Sequence, residues 1–273
     1  MKLLEVTQLK KYYPIKRGFL RRTIGYVKAI DDISFHINEG EIVGLVGESG
    51  SGKSTTGRAV IRLIEPTDGQ IFFQGQDLMC ASRSTLRKLR TEAQIVFQDP
   101  LASLNPRKTI LENVGEALLV HKLVKTREEQ VHAVVQILQQ VGLSSSVLNQ
   151  YPHQFSGGQQ QRISIGRALV LTPKLLICDE ITSALDLSVQ AQVLNLLSDL
   201  KKIFKLSYLL ISHDLSVIQH LCDRVLVMHR GKIVESGKTE ALFHNPKHPY
   251  TQKLLNSIPV RHPCEGHKDR IVN

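Results

Sequence analysis

The 273-residue chain predicts an α/β fold: a mixed, mainly parallel sheet, an antiparallel β subdomain at the N-terminus, and an α-helical subdomain inserted further on. Three patterns predict it. Near the start, polar and apolar residues alternate, as in half-buried strands. Continuous apolar runs such as "EIVGLVG" and "KLLICDE" end in glycine or acids, as fully buried parallel strands do. Between about residues 100 and 170 the apolar residues recur at helical spacing instead.

Taken in order, "LLEVTQL" and "ISFHI" read as antiparallel strands, the second with Ile33, Phe35 and Ile37 on one face. "PIKRGFLRRTIG" between them reads as a basic loop. "EIVGLVG" is a buried strand, and "KSTTGRAVIRLIE" after it a helix with Val60, Leu63 and Ile64 on one face. "PTDGQ" is a turn and "QIFFQG" a strand. In the helical stretch, "REEQVHAVVQILQQVGL" puts Val131, Val134, Val135 and Leu138 on one stripe, with Gly142 as C-terminal cap. Strands return in "KLLICDE", "YLLISHD" and "RVLVMHRGKIVES", the last a hairpin around Arg230 and Gly231. The helix "LSVQAQVLNLLSDLKKI" separates the first two, which implies a parallel crossover. Residues 1–259 then form one unit, about 100–170 of it helical, and residues 260–273 a polar tail.

The formal charge is +10, from 35 basic and 25 acidic side chains. Such a balance suits a polyanion: a nucleotide, a nucleic acid or an anionic membrane face. The basic residues are spread along the chain, and no aromatic–basic stripe of a nucleic-acid binder accompanies them. Cys80, Cys178, Cys222 and Cys264 form no paired motif and no zinc spacing, as expected in a reducing compartment. The N-terminus lacks the apolar core of a signal peptide. No apolar run approaches the roughly 18 residues of a membrane span, so work at a membrane requires other chains to cross it.

"GESGSGKST" carries the first chemistry. Gly47, Glu48, Ser49, Gly50, Ser51, Gly52, Lys53 and Ser54 fit G-x-x-x-x-G-K-S/T, followed by Thr55, between a buried strand and a helix. The glycines let successive N–H groups turn inward as an anion nest, and the helix presents its positive end there. Lys53 supplies a mobile charge for the β- and γ-phosphates, and Ser54 a hydroxyl for Mg²⁺. The stretch therefore holds a nucleoside triphosphate, and the core is that of a P-loop NTPase. "LLICDE" ends in Asp179, which suits a second magnesium contact, and Glu180, which suits a general base for water.

"FSGGQQQR" is a second phosphate-binding surface. Ser156, Gly157 and Gly158 precede a helix beginning near Gln159, so a hydroxyl and exposed amides lie at a helix N-terminus. This stretch resembles the LSGGQ signature of ATP-binding cassette (ABC) ATPases, with Phe155 where leucine is usual. The resemblance runs from Leu4 to about Pro259. It implies that the nucleotide is ATP, and a head-to-tail dimer in which the signature of one subunit caps the γ-phosphate held by the other. It further implies that Gln98 in "IVFQDP" is the Q-loop glutamine approaching Mg²⁺, that Ser183 to Asp186 form the D-loop, and that His213 is the switch histidine near the γ-phosphate. An adenine-stacking aromatic is implied near the N-terminus: Tyr13 by its position after the first strand, with Tyr12 and Tyr26 as alternatives. All the groups needed for hydrolysis are present.

Among ABC proteins, repair and chromosome ATPases carry long insertions, for which the span from Gln98 to Ser156 is too short. Translation factors usually carry two cassettes, and this chain has one. "YYPIKRGFLRRTIGYVKAIDDISF", "DPLASLNPRKT" and "NPKHPYTQKLLNSIP", with His248, Pro249 and Tyr250, resemble the oligopeptide, dipeptide and nickel importers, and the second of their two ATPase subunits. That resemblance implies a peripheral ATPase on the cytoplasmic face of the inner membrane. Its partners are a non-identical second ATPase subunit, two permease subunits and an external solute-binding protein, with no nucleic acid. The alternatives are a non-transport ABC ATPase of nucleic-acid repair or translation and, more distantly, a P-loop kinase.

Overall fold

Residues 1–17, 22–183 and 185–256 are described by the computed structural model; the expected tail, with Cys264, lies outside them. The alternating N-terminal residues form two long antiparallel strands, β1 (Lys2–Arg17) and β2 (Arg22–Asn38). β3 (Ile42–Val46) follows, then α1 (Lys53–Val60), β4 (Asp68–Phe73) and β5 (Gln76–Asp77). β4 pairs with the free side of β1, giving a four-stranded sheet in the order β2-β1-β4-β5.

Most of the expected basic loop is strand. Pro14 pairs with Tyr26, Ile15 with Gly25 and Lys16 with Thr23. The reason is local: Ile15, Thr23, Ile24, Tyr26 and Val27 are β-branched or aromatic, and a ribbon open on both faces can carry charged side chains. Pro14 is tolerated because β4 pairs with β1 only as far as Lys10, so β1 is an edge there and needs no ladder donor on that side.

α1 also departs from expectation. It stops at Val60 rather than running on through Glu65. Arg62 turns into the left-handed region (φ 54°), and its guanidinium donates to the carbonyls of Leu78 and Met79. The Leu63 N–H returns to the Arg58 carbonyl, and the Leu63 side chain points to solvent.

The rest of the chain supplies α2 (Arg83–Glu92), β6 (Ala93–Val96), α3 (Pro100–Ser103), α4 (Ile110–Val120), α5 (Arg127–Gln140) and α6 (Gly157–Leu169). Then come β7 (Leu175–Asp179), α7 (Leu187–Phe204), β8 (Ser207–Ser212), α8 (Leu215–Leu221), β9 (Arg224–His229), β10 (Lys232–Lys238), α9 (Thr239–His244) and α10 (Pro249–Asn256). On α5 the buried stripe is Gln130, Val134, Ile137 and Leu138, with Val131 and Val135 half-buried. Gly142 (φ 74°) ends it as expected, with the Gly142 N–H on the Gln139 carbonyl and the Leu143 N–H on the Leu138 carbonyl.

The second sheet has six strands in the order β10-β9-β3-β8-β7-β6; all its pairings are parallel except β10 with β9. β3, β7, β8 and β9 are buried along most of their length because both faces are covered, whereas the edge strand β10 is largely polar and half-exposed. Val43 and Leu45 of β3, Ile177 of β7 and Leu209 of β8 enter one core with Leu4, Leu9, Ile71 and Val60. Their neighbours Ile42, Val46, Cys178 and Leu210 enter the other, with Val114, Leu138, Ile163 and Leu197. The strand period of two thus divides these strands between the antiparallel sheet with α1 and α2 on one side and α4, α5, α6 and α7 on the other. Burial pushes the Cys178 and Cys222 thiols well above their ordinary pKa, so they are inert packing groups.

Candidate functional site

The glycine loop lies where β3 hands the chain to α1. A side chain at Gly47 (φ 155°) would put its Cβ 2.1 Å from the Met228 carbonyl oxygen. One at Gly52 (φ 110°), the residue before α1, would come 2.1 Å from that of Ala29. Only glycine fits this close approach of backbone to backbone. Lys53, at the first turn of α1, is buried. Its ammonium donates to the carbonyls of Gly47 (2.7 Å) and Glu48 (3.0 Å) and lies 3.8 Å from Glu180 Oε1. Burial lowers its pKa, against the pull of the Glu180 and Asp179 carboxylates. The Ser51 hydroxyl is buried in the same loop with no hydrogen-bond partner among the described residues, the condition of a group that a ligand oxygen satisfies. Ser49 and Gly50 sit exposed at the loop's outer turn, and Thr55 is half-buried on α1.

Ser54 Oγ donates to Asp179 Oδ1 at 2.7 Å, joining the start of α1 to the end of β7. Burial raises the Asp179 carboxyl above its ordinary pKa, against the Ser54 hydrogen bond and the Arg58 guanidinium 3.7 Å away. Sequence reasoning missed Arg58. The signal is there, since Ser54 and Arg58 are four apart on one helix and so share a face.

Glu180 follows β7 in the left-handed region (φ 50°), its N–H fixed on the Ile211 carbonyl of β8. A non-glycine residue held there is a strained position, of the kind functional sites retain. Its second carboxylate oxygen is 3.2 Å from His213 Nδ1, just past the end of β8. Glu180 therefore stands between Lys53 and His213. Ser183 Oγ donates to the Glu180 carbonyl at 2.9 Å, and Gln98 Nε2 to Ser183 Oγ at 3.3 Å, which brings Gln98 to the same edge. Ala184, inside the expected D-loop, lies outside the described residues.

Ser156 caps α6. Its hydroxyl accepts the Gln159 N–H (3.4 Å), while Gln159 Oε1 accepts the Ser156 N–H (3.1 Å). Gly157 is exposed; Gly158 is pressed toward α7, where a Cβ would come 2.5 Å from Val189. Among the described residues, no hydrogen bond or ion pair joins residues 156–159 to residues 47–55. The N-terminal aromatics separate. The Tyr12 hydroxyl donates to Asp31 (2.5 Å), which pushes its pKa up to about 12, and Lys28 lies over its ring. Tyr13 and Tyr26 are exposed, with the Lys11 ammonium 4.9 Å from the Tyr13 ring centre.

Comparison with known proteins places these features. Residues 30–183 match the family described as ABC transporter, and residues 234–271 match that described as Oligopeptide/dipeptide transporter, C-terminal region. The chain is 53% identical over 94% of its length to the Oligopeptide transport ATP-binding protein AppF of Bacillus subtilis, covering 78% of it. It is 49% identical over 96% of its length to the Oligopeptide transport ATP-binding protein OppF of the same organism, covering 84% of it. A dimeric ATP-binding cassette solved in a post-hydrolysis state with ADP and Pi superposes with a TM-score of 0.76 at 29% identity, over 86% of this chain and 98% of that one.

Proposed function

Since the chain belongs to the ABC transporter family of ATP-binding subunits, we propose that it hydrolyses ATP to drive import of oligopeptides or dipeptides through a separate membrane permease. The observation that carries this is the convergence of Lys53, Ser54, Asp179, Glu180 and His213 at neighbouring strand ends, beside a buried hydroxyl and a glycine loop shaped for phosphate. Ligands of open α/β sheets bind beyond the carboxyl ends of strands, where these residues sit.

In this reading residues 47–55 cradle the triphosphate, and Lys53 leaves its two carbonyls for the β- and γ-phosphates. Glu180 takes the proton of the attacking water, held for it by the His213 imidazole. Tyr13 stacks on adenine; Tyr12, already committed to Asp31, is the weaker alternative. Mg²⁺ suits the hard oxygen donors of Ser54 and Asp179, with Gln98 close behind through Ser183. When bound, the ion neutralises charge on the transferred phosphoryl group. The products are ADP and inorganic phosphate.

Residues 1–259 act as one cassette, with 100–170 as its helical part. The exposed 156–159 stretch caps nucleotide on a second ATPase subunit, non-identical in this group of importers. The dimeric relative supports such an arrangement. No helix among the described residues is long and apolar enough to cross a membrane, so crossing falls to two permease subunits, with a solute-binding protein outside. The ATPase then sits peripherally at the cytoplasmic face of the inner membrane. A permease helix docks near Gln98 and Pro100–Leu104, where Leu101 is exposed. The match of residues 234–271 to a transporter region weighs against a role in nucleic-acid repair or translation.

Glu180→Gln tests the reading. With its partner ATPase subunit present, this variant binds ATP as the wild type does and releases phosphate at least a hundredfold more slowly, about the range of a lost general base. Phosphate release near the wild-type rate removes Glu180 from the role of base.

A further inference from the structure

The C-terminal helix reaches back to the nucleotide loop. The Tyr250 hydroxyl on α10 accepts the Glu48 N–H at 3.0 Å. Its ring is buried and stacked on His229 at the end of β9, with centroids 3.9 Å apart and planes 21° apart.

The partner of that hydrogen bond matters. The Glu48 N–H and the Gly47 carbonyl belong to one peptide unit, and in a trans peptide they point in opposite directions. The Gly47 carbonyl is the one that accepts the Lys53 ammonium, at 2.7 Å. Tyr250 and Lys53 therefore hold opposite ends of a single peptide plane at the entrance of the loop. Any rotation of that plane breaks both bonds together.

Tyr250 is itself firmly placed. Glu235 of β10 accepts the N–H groups of Lys247 (2.8 Å) and His248 (3.0 Å), and His248 Nδ1 accepts the Tyr250 N–H (3.1 Å). These bonds fix the chain as it enters α10. Elsewhere the same loop meets backbone: the Gly231 N–H donates to the Ser51 carbonyl at 2.9 Å, Gly47 lies against the Met228 carbonyl, and Gly52 against the Ala29 carbonyl of β2. α10 adds two side chains to this clamp: Tyr250, buried and bonded to the Glu48 N–H, and Lys253, exposed, with its ammonium 3.9 Å from the Glu48 carboxylate.

We propose that Tyr250 is a positioning residue for nucleotide binding: through the Glu48 N–H it sets the plane of the Gly47–Glu48 peptide, and with it the resting place of Lys53. The inference rests on the reading of residues 47–55 as the triphosphate cradle. Tyr250 touches no phosphate; it holds a loop whose other groups do.

Tyr250→Phe removes the hydroxyl and keeps the ring on His229. The expected result is a 3- to 10-fold rise in the dissociation constant for ATP, about the worth of one net hydrogen bond. The KM for ATP rises in parallel while kcat at saturating ATP holds, and the melting temperature stays that of the wild type. Hydrogen exchange of the Glu48 amide accelerates, and that of the Thr56 amide inside α1 does not. Unchanged ATP affinity with unchanged Glu48 exchange overturns the proposal, as does a loss of affinity accompanied by equal acceleration throughout α1. Lys53→Ala, measured alongside, separates the two layers. If it weakens ATP binding while Tyr250→Phe is silent, only the positioning role fails; if it too is silent, the cradle reading fails first.

Discussion

Lys53 is a buried ammonium whose nearest acceptors are two carbonyls of its own loop, with a carboxylate at 3.8 Å. Neutral carbonyls compensate a buried charge less well than an anion does, and the downward shift of its pKa by burial records that deficit. A polyphosphate offers the missing negative charge. Lys53→Ala should therefore raise the dissociation constant for ATP tenfold or more, roughly the worth of a charge-assisted hydrogen bond; titration with a fluorescent ATP analogue measures it, and unchanged affinity takes Lys53 out of phosphate binding. Lys53, Ser54, Asp179 and Glu180 were legible in the sequence because each stands at a fixed offset within a strand–loop pattern. Arg58 was legible only in part: its spacing shows a face shared with Ser54, but not its approach to Asp179. Tyr250 was not legible, since it acts through contact with a loop two hundred positions earlier, made only once α10 has folded back. "HPY" marked a group resemblance without telling what the tyrosine touches.

At the scale of elements, the turn from β2 to β3 shows how the two sheets are joined. Glu41 accepts the Asn38 N–H (2.7 Å) and the Arg224 Nε–H (2.8 Å) at the start of β9. Arg224 also reaches the His36 carbonyl on β2. Burial alone would raise the Glu41 carboxyl; the bonds from Arg224 and Asn38 outweigh it and hold the pKa below the ordinary 4.5. The stabilisation is thus present in full above pH 4.5 and fades as pH falls through the lower folded value. Glu41→Gln should cost about 2 kcal/mol at neutral pH, the scale of hydrogen bonds to a charged group. The gap to the wild type should narrow in acid. Urea unfolding near neutrality and again near pH 4 checks this, and a gap that does not narrow denies the carboxylate its part. The same scale shows where pattern reading falls short. The long arms of β1 and β2 carry charges that look like a loop until cross-strand pairing is known. α1 ends early because Arg62 finds carbonyls on the β5–α2 connection, a tertiary contact that helical periodicity does not contain. The buried strands and the capped α5 were read well because burial on both faces and a glycine cap leave local marks.

Over the whole molecule, the phosphate loop and the 156–159 stretch belong to different elements, with no hydrogen bond or ion pair between them among the described residues. β3, β7 and β8 bring Lys53, Asp179, Glu180 and His213 to one edge, while Ser156 opens α6 within the helical stretch between β6 and β7. With no bond between the two sets among the described residues, a single copy should bind ATP without help from the signature stretch. In the proposed head-to-tail pairing of two subunits, the sets would meet and ATP would bridge them. Ser156→Arg separates these states. In the isolated subunit it should leave ATP affinity within about twofold of the wild type, because nothing in the cradle leans on Ser156. The lost N-cap should lower stability by about 1 kcal/mol. With the partner ATPase subunit present, and in a Glu180→Gln background where bound ATP should persist, the arginine should prevent the ATP-induced dimer that the proposed function expects. Size-exclusion chromatography with ATP would show the dimer peak vanish, and phosphate release with Glu180 intact would fall with it. The two readouts must move together: a dimer that forms normally in the Ser156→Arg variant means the 156–159 surface is not the one that meets nucleotide across the interface, and a loss of ATP affinity in the isolated subunit means the two sets are joined within one chain.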